Sequence, residues 1–315
     1  FDDLDIPVDS TVVVLSDITA INTDAGGSEE NPYGVGVTIE CQSASIFGEI
    51  NGDGRGFASL MGPGGYQYNY YGAAHGGNGV GRPTETYGNL TRPSELGSGG
   101  SFSAGGSALK IVADGTISLS GTISALGEQT GNNHGSPGSA WLVCNELTGD
   151  GSIDLFGSGR DRPSGGGRTA IECTTYNFTG DNFVYGDSSG SGHSETGTIY
   201  ICTTPNPGGD GVILDSDFTT DDNSVKIVRT VSQWKTGKLM EWTDVSTAVD
   251  GTALPNIATY VLKGLDTAAS YVVYEDDIVI DTWSQIGDTI TIPDITVSHV
   301  VLVSSLPSGS VFVIQ

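Results

Sequence analysis

Basic residues are scarce in this chain: 12 lysines and arginines stand against 38 aspartates and glutamates, a formal charge of −26 over 315 residues. A phosphate backbone needs a basic face, so no nucleic-acid partner is expected, and an anionic membrane surface is disfavoured for the same reason. Long apolar runs are missing as well. Nothing approaches the roughly eighteen residues that a spanning helix needs, so no membrane insertion is expected. Helical periodicity is almost absent, because few stretches keep apolar residues at i, i+3 and i+4 for three turns. Only four cysteines occur, with no CxxC pattern beside them. The histidines His75, His134, His193 and His299 are scattered, and no HExxH, GxSxG or Ser/His/Asp order appears beyond chance. The expectation is therefore a protein that is not an enzyme and has no assigned catalytic residue.

What is present is glycine, 48 residues, about twice the usual share of roughly 7%. It lacks the G-X-Y period of collagen and gathers between short runs rich in Val, Ile, Thr and Tyr. That texture is all-β. Self-similarity sharpens it. AWLVC (140–144), TAIEC (169–173) and TIYIC (198–202) end in Cys144, Cys173 and Cys202, evenly spaced along the chain, with VTIEC (37–41) upstream and ALKIVADG (108–115) between. TISLSGTISALG (116–127), LTGDGSIDLFG (147–157) and FTGDNFVYG (178–186) each read as strand, glycine corner, strand. One such unit cannot bury its apolar side chains alone, whereas stacked units make a continuous core. The expectation is a parallel β-solenoid (β-helix) with Gly-rich loops, of roughly five or six rungs, filling residues 1–212 and carrying a long insertion at about 52–106 that projects from one corner. Corner glycines such as Gly121 are expected to supply positive φ.

The order His75-Gly76-Gly77, Tyr87-Gly88, Pro93-Ser94-Glu95-Leu96-Gly97-Ser98-Gly99-Gly100, SALKIVADGTISLSGTISALG (107–127), GSAWLVCNELTGDGSI (138–153) and GGGRTAIEC (165–173) resembles the glycine-rich β-solenoid repeat regions of large extracellular surface proteins. The resemblance covers about a third of the chain. It implies a surface-exposed, structural or adhesive region. Ala140 and Thr169 stand where that pattern has isoleucine, which implies a slimmer interior. Beyond residue 212 the glycine loops stop, and residues 213–315 read as connecting strands followed by a regular meander: TYVLKGL, SYVVYE, IVIDTW, DTITIPDI and HVVLVSSL. A tight turn at Asp276-Asp277 joins the second and third of these. The run resembles a small Ig-like or fibronectin-like β-sandwich module, with Asp277 where that hairpin carries glycine.

Several residues are candidates for specific roles. Equal spacing places Cys144, Cys173 and Cys202 on adjacent rungs, either as a buried thiol ladder or as a disulfide between neighbours. Asn89 and Asn177 head N-x-S/T sequons, which fits a glycoprotein. Tyr66, Tyr68, Tyr70 and Tyr71 alternate on the insertion and suit contact with a glycan or a partner subunit, or packing on the solenoid's own flank. Val311, Val313 and Ile314 form an apolar terminal segment suited to donation as an assembly strand. Asp150, Asp154 and Asp161 with Arg160, Arg162 and Arg168 are the one grouping open to polysaccharide-lyase chemistry; pairing between loops is the plainer reading. NGDG (51–54) and TGDGSID (148–154) lack the ligand spacing of a calcium loop, so no cofactor is assigned and Ca²⁺ remains a candidate only. The chain opens at Phe1 without a leader, as expected of a processed, secreted protein of the cell surface. The function expected is a non-catalytic extracellular structural protein that self-associates into a homopolymer, a filament, sheath or layer. The alternatives are an adhesin that binds surface glycans, and a polysaccharide-degrading β-helix enzyme or virion tail spike.

The acidic excess carries a measurable consequence. Melting temperature should climb from low to molar NaCl, because screening relieves repulsion among the acids. A flat or falling curve would mean that bound ions or bases already neutralise them.

Overall fold

A computed structural model describes residues 2–22, 33–65, 71–81, 86–130, 134–159, 161–189 and 192–202, and then 212–218, 225–231, 240–248, 258–263, 267, 270–275, 278–295 and 299–305. Among these residues there is no helix; the protein is all-β, and its first two thirds are built on parallel sheets.

Two parallel sheets carry that part. In the first, Asp3–Ile6, Ser43–Ile46 and Thr116–Leu119 lie side by side with the second half of Ser139–Gly149, then with Arg168–Phe178. Val37–Cys41 and Ala108–Ala113 pair with the first half of the same long strand, and Thr198–Cys202 follows Arg168–Phe178. The second sheet stacks the short strands Thr11–Val13, Glu49–Asn51, Thr122–Ser124, Ser152–Asp154 and Asp181–Phe183. Register turns the sequence's alternation into columns. Ile39, Ile111, Leu142, Ile171 and Ile201 form one, and Val12, Ile50, Ile123, Ile153 and Asn182 another. Burying an isoleucine contributes about 1.5–3 kcal/mol, so each column is a principal source of stability. Thr169, where the resembled pattern has isoleucine, is also inside. Its hydroxyl donates to the Asn182 Oδ1 at 2.9 Å, which satisfies both of those buried oxygens, while Asn182 Nδ2 stays buried without a hydrogen-bond partner.

The glycine-rich stretches depart from expectation. They are not projecting loops. Segments 52–65, 71–80, 95–107, 134–138, 157–159 with 161–167, and 184–189 with 192–197 lie against one another outside the two parallel ladders, joined backbone to backbone. Gly56 donates to Gly105, Phe57 to Gly97, Gly106 to Ser136, Gly77 to Gly166, Gly165 to Ala73 and Gly157 to Tyr185, at 2.7–3.0 Å. Segment 95–107 bonds both to 52–65 and to 134–138, and segment 71–80 to both 52–65 and 161–167. The insertion is thus one part of a packed body to which successive units contribute. Close approach explains the composition: a Cβ on Gly106 would sit 1.9 Å from the Ala125 carbonyl oxygen, and one on Gly166 1.9 Å from that of Val184.

Gly121 corrects the reason given for corner glycines. It is not among the glycines with positive φ; instead a Cβ there would lie 1.9 Å from the Gly48 carbonyl oxygen on the neighbouring strand turn. Gly121→Val is therefore expected to cost at least about 3 kcal/mol, since backbone cannot move aside as a side chain can. Urea unfolding checks this, and a variant as stable as the parent contradicts the close packing.

After Thr198–Cys202 the pairing turns antiparallel. Val212–Phe218 pairs with Thr198–Cys202, and Ala258–Lys263, Thr289–Ile295 and Ser284–Ile286 extend that sheet. A second antiparallel sheet runs Val225–Val231, Met240–Ala248, His299–Ser305, Ser270–Glu275 and Ile278–Ile280. Ser270–Glu275 and Ile278–Ile280 pair as a hairpin, Glu275 opposite Ile278; Asp276 and Asp277 themselves lie outside the described residues. The strands are not a regular meander, however. Ala258–Lys263 lies in one sheet, the next hairpin in the other, Ser284–Ile286 and Thr289–Ile295 back in the first and His299–Ser305 again in the second. Exchange of this kind lets Tyr271 and Val273 from one sheet share a core with Ile290 and Ile292 from the other.

Candidate functional site

The one concentration of buried polar chemistry among the described residues lies where the glycine segments meet the parallel strands. His75 is fully buried, with its ring tilted against Tyr87 at 4.7 Å between centroids. Its Nδ1 lies 2.8 Å from the Pro137 carbonyl oxygen, which only accepts, so Nδ1 carries the proton and Nε2 presents a lone pair. That Nε2 is buried with no hydrogen-bond partner. Burial, then the nearby Arg168 charge, lower the His75 pKa to about 3, so the ring is neutral. Hydroxyls beside it relay in one direction. Gly64 N–H donates to Ser98 Oγ, Ser98 Oγ donates to the Tyr87 hydroxyl, and that hydroxyl donates to the Leu96 carbonyl. Burial holds the Tyr87 phenol well above its ordinary pKa.

Glu95 is buried nearby. Its pKa is raised by burial, against which Asn89 N–H and Ser94 N–H both donate to the carboxylate, at 2.7 and 2.9 Å. Arg168, also buried, donates from Nε to the Tyr87 carbonyl at 3.0 Å and from its terminal nitrogen to Thr198 Oγ1 at 2.9 Å. These groups are the His-Gly-Gly, Tyr-Gly, Pro-x-x-Leu-Gly-Ser-Gly-Gly and Gly-Gly-Gly-Arg elements of the sequence. Their order was legible; their meeting at one place was not, because His75 and Arg168 stand far apart along the chain. The arrangement ties segment to segment. It offers no nucleophile beside a base, and its hydrogen bonds run to neighbouring segments of the chain.

No family model, curated protein or solved structure matches the chain.

All four cysteines are buried thiols outside any disulfide. Cys144 and Cys173 are register partners on adjacent strands, facing the interior. Cys41 pairs with Ala113, which in the same register stands beside Cys144, so the upstream cysteine joins this column. Cys202 does not. It pairs with Glu172 and not with Cys173, because the cysteine step is shorter by one position than the register step between Arg168–Phe178 and Thr198–Cys202. A shift of one residue turns a side chain to the opposite face, where Cys202 packs with Trp141, Ala170 and Tyr200. The neighbouring Cys173 thiol and burial raise the Cys144 pKa, which leaves it protonated and unreactive.

The remaining candidates are dispersed. Asn89 is exposed and its Oδ1 accepts from Thr91 and Arg92 N–H; Asn177 is exposed on a strand and donates to Glu146. Tyr71 is half-buried with its ring against Gly81, while Tyr66, Tyr68 and Tyr70 lie outside the described residues, as do Val311, Val313 and Ile314, and Arg160. The acid–arginine grouping does not assemble around a common point: Asp150 and Asp161 are exposed and Arg168 is internal. Asp154 sits on the short-strand sheet, its pKa raised to about 6 by burial and by the Asp53, Asp181 and Glu49 charges. Asp53 of NGDG is a clamp, its Oδ1 accepting from Ser124 Oγ and Leu126 N–H. Among the described residues, no three His, Cys, Asp or Glu side chains are placed to hold a metal ion.

Proposed function

We propose that this chain is a non-catalytic structural component of an extracellular surface appendage. On this reading its parallel stack is a β-solenoid, and the antiparallel strands after residue 212 are an Ig-like sandwich. The observation that carries the proposal is the glycine body, in which six segments are laid backbone on backbone without space for a single Cβ at most contacts. Such packing yields a stiff body with little side-chain chemistry, and the polar groups at its base serve as ties. Incubation with neutral and acidic polysaccharides is expected to release neither reducing ends nor unsaturated uronates. Release of either would replace the structural reading with the enzymatic one.

A second reading, glycan adhesion, has one observation in its favour. Leu60, Met61 and Phe102 are exposed apolar side chains on two glycine segments pinned together by Leu60 N–H to Gly100 and Gly99 N–H to Met61, both 2.9 Å. Leu60 is held at φ 65°, a region branched side chains avoid. Retention on a glycan array that is lost in Phe102→Ala favours adhesion; an empty array leaves the structural reading alone.

A further inference from the structure

The two N-x-S/T sequons are built differently, and the difference decides which of them can take a glycan. Asn89 heads a bend. Its Oδ1 accepts from the Thr91 and Arg92 N–H groups at 2.9 and 3.0 Å, and from the Thr91 hydroxyl at 3.1 Å. The chain folds back here, so that the sequon hydroxyl meets the asparagine carboxamide. The Asn89 side chain is exposed, and among the described residues nothing accepts from its Nδ2. The bend is anchored from within. Asn89 N–H and Ser94 N–H donate to the two oxygens of buried Glu95 at 2.7 and 2.9 Å, and Asn22 Nδ2 donates to the Ser94 carbonyl at 2.9 Å. Leu90, the middle residue of the sequon, packs against the Trp141, Ala170 and Tyr200 flank. Anchored in this way, the bend presents Asn89 to solvent without any opening of the fold.

Asn177 has the same sequence signal in the opposite setting. It lies in Arg168–Phe178, with Thr148 of the neighbouring strand as its register partner. Its Nδ2 donates to Glu146 Oε1 at 2.8 Å. The Thr179 hydroxyl donates to the Gly149 carbonyl at 3.2 Å, and Thr179 N–H to the same oxygen at 2.8 Å. Phe178 between them is buried. Nitrogen and hydroxyl are each engaged with the neighbouring strand and not with one another. An acceptor must bring both groups into one enzyme site, so Asn177 requires the strand to peel away first. We infer that Asn89 is an N-glycosylation site of the folded protein, and that Asn177 is closed to the same reaction by its strand. The donor is an oligosaccharide linked through pyrophosphate to a lipid. Transfer forms the bond from Nδ2 to the anomeric carbon and breaks the bond from that carbon to pyrophosphate. Nδ2 gives up one proton, the lipid pyrophosphate leaves, and nothing is oxidised or reduced. Occurrence of the reaction in the organism rests on the proposed extracellular placement; the competence of the site does not.

The test supplies donor and enzyme, so it reads the site and not the location of the chain. Folded, unglycosylated full-length protein is incubated with a lipid-pyrophosphate-linked oligosaccharide and a single-subunit oligosaccharyltransferase. The enzyme is one that modifies short peptides carrying either sequon, so that any selectivity arises from the fold. Intact mass and peptide mapping are expected to find one oligosaccharide, on Asn89, with Asn177 modified at least about tenfold more slowly. Asn89→Gln should abolish the fast reaction and Asn177→Gln should leave it unchanged. Thr91→Ser, which keeps the hydroxyl, should retain it, and Thr91→Val should lose it. Folded protein that stays unmodified at Asn89 overturns the inference, as does modification of Asn177 at the rate of Asn89.

Discussion

Gly138→Ala is expected to destabilise the protein by at least about 3 kcal/mol, the effect of a large core disruption from a single added methyl. The Cβ would fall 1.6 Å from the Ser107 carbonyl oxygen and 2.8 Å from that of Gly106. Both are backbone atoms already fixed, since Ser107 O accepts from Ser139 N–H at 3.1 Å, and Gly138 N–H itself donates to Ala125 at 2.9 Å. Relief requires prising apart segment 95–107 and the strand that begins at Ser139. Gly287→Ala is the control. It lies at φ +61° with nothing within 4 Å of the added Cβ, so it should cost only about 1–2 kcal/mol, from backbone strain alone. Chemical unfolding of the two variants side by side checks the contrast. Equal, small effects would mean that the glycine segments are not packed as described.

The second large effect is a pH dependence carried by His75. Unfolded, the ring takes up a proton near its ordinary 6.5; folded, it resists protonation down to about 3. Between those values the unfolded chain binds more protons, so the contribution is complete above about pH 6.5 and lost as pH falls toward 3. Over two pH units this amounts to roughly 2–3 kcal/mol. Asp154 works in the opposite direction. Its carboxyl, raised to about 6 from 3.8, favours the folded state below 3.8, and that contribution fades as pH rises through about 6. Glu95, also raised, has the same sign. The parent's profile is therefore a compromise, and the difference from His75→Asn isolates the histidine. Urea midpoints at pH 7 and 4.5 should show the parent losing roughly 2–3 kcal/mol relative to the variant. Parallel profiles would place His75 in contact with water, or hydrogen-bonded at Nε2.

The stacked strands were legible in the sequence because their side-chain period is rigid. Ile111, Leu142 and Ile171 announce themselves as a column once the units are aligned, and the structure pairs them in that order, with Ile201 and not Tyr200 continuing it. The glycine body was not legible. A high glycine content is equally the mark of an open turn and of a crowded chain, and only the identity of the opposing atom separates them. Gly121 reads as a corner and Gly138 only as the first residue of a motif, yet each is there because a carbonyl oxygen occupies the place of its side chain. Cys202 shows how fine the margin is. An even cysteine spacing looks like one ladder, but the length of the repeating unit varies by a position or two, and a single position decides the face. The His75–Tyr87–Arg168 cluster was hidden by separation along the chain. Its parts were noticed as an ordered motif, and only the fold brings them within hydrogen-bonding distance. After residue 212 local signals predicted the Ser270–Ile280 hairpin, whereas the exchange of successive strands between two sheets is a tertiary outcome with no local signature.

Amide hydrogen exchange at the glycines tests the central claim most directly, that these segments are a packed body and not loops. Gly97, Gly105, Gly106, Gly165 and Gly166 donate to backbone carbonyls of other segments or of their own, and opening any one of them requires separating packed chain. Their amides are expected to exchange as slowly as those of Leu142 and Ile171 in the parallel strands. Exchange at the rate of exposed loops, while the strands stay protected, would contradict the account.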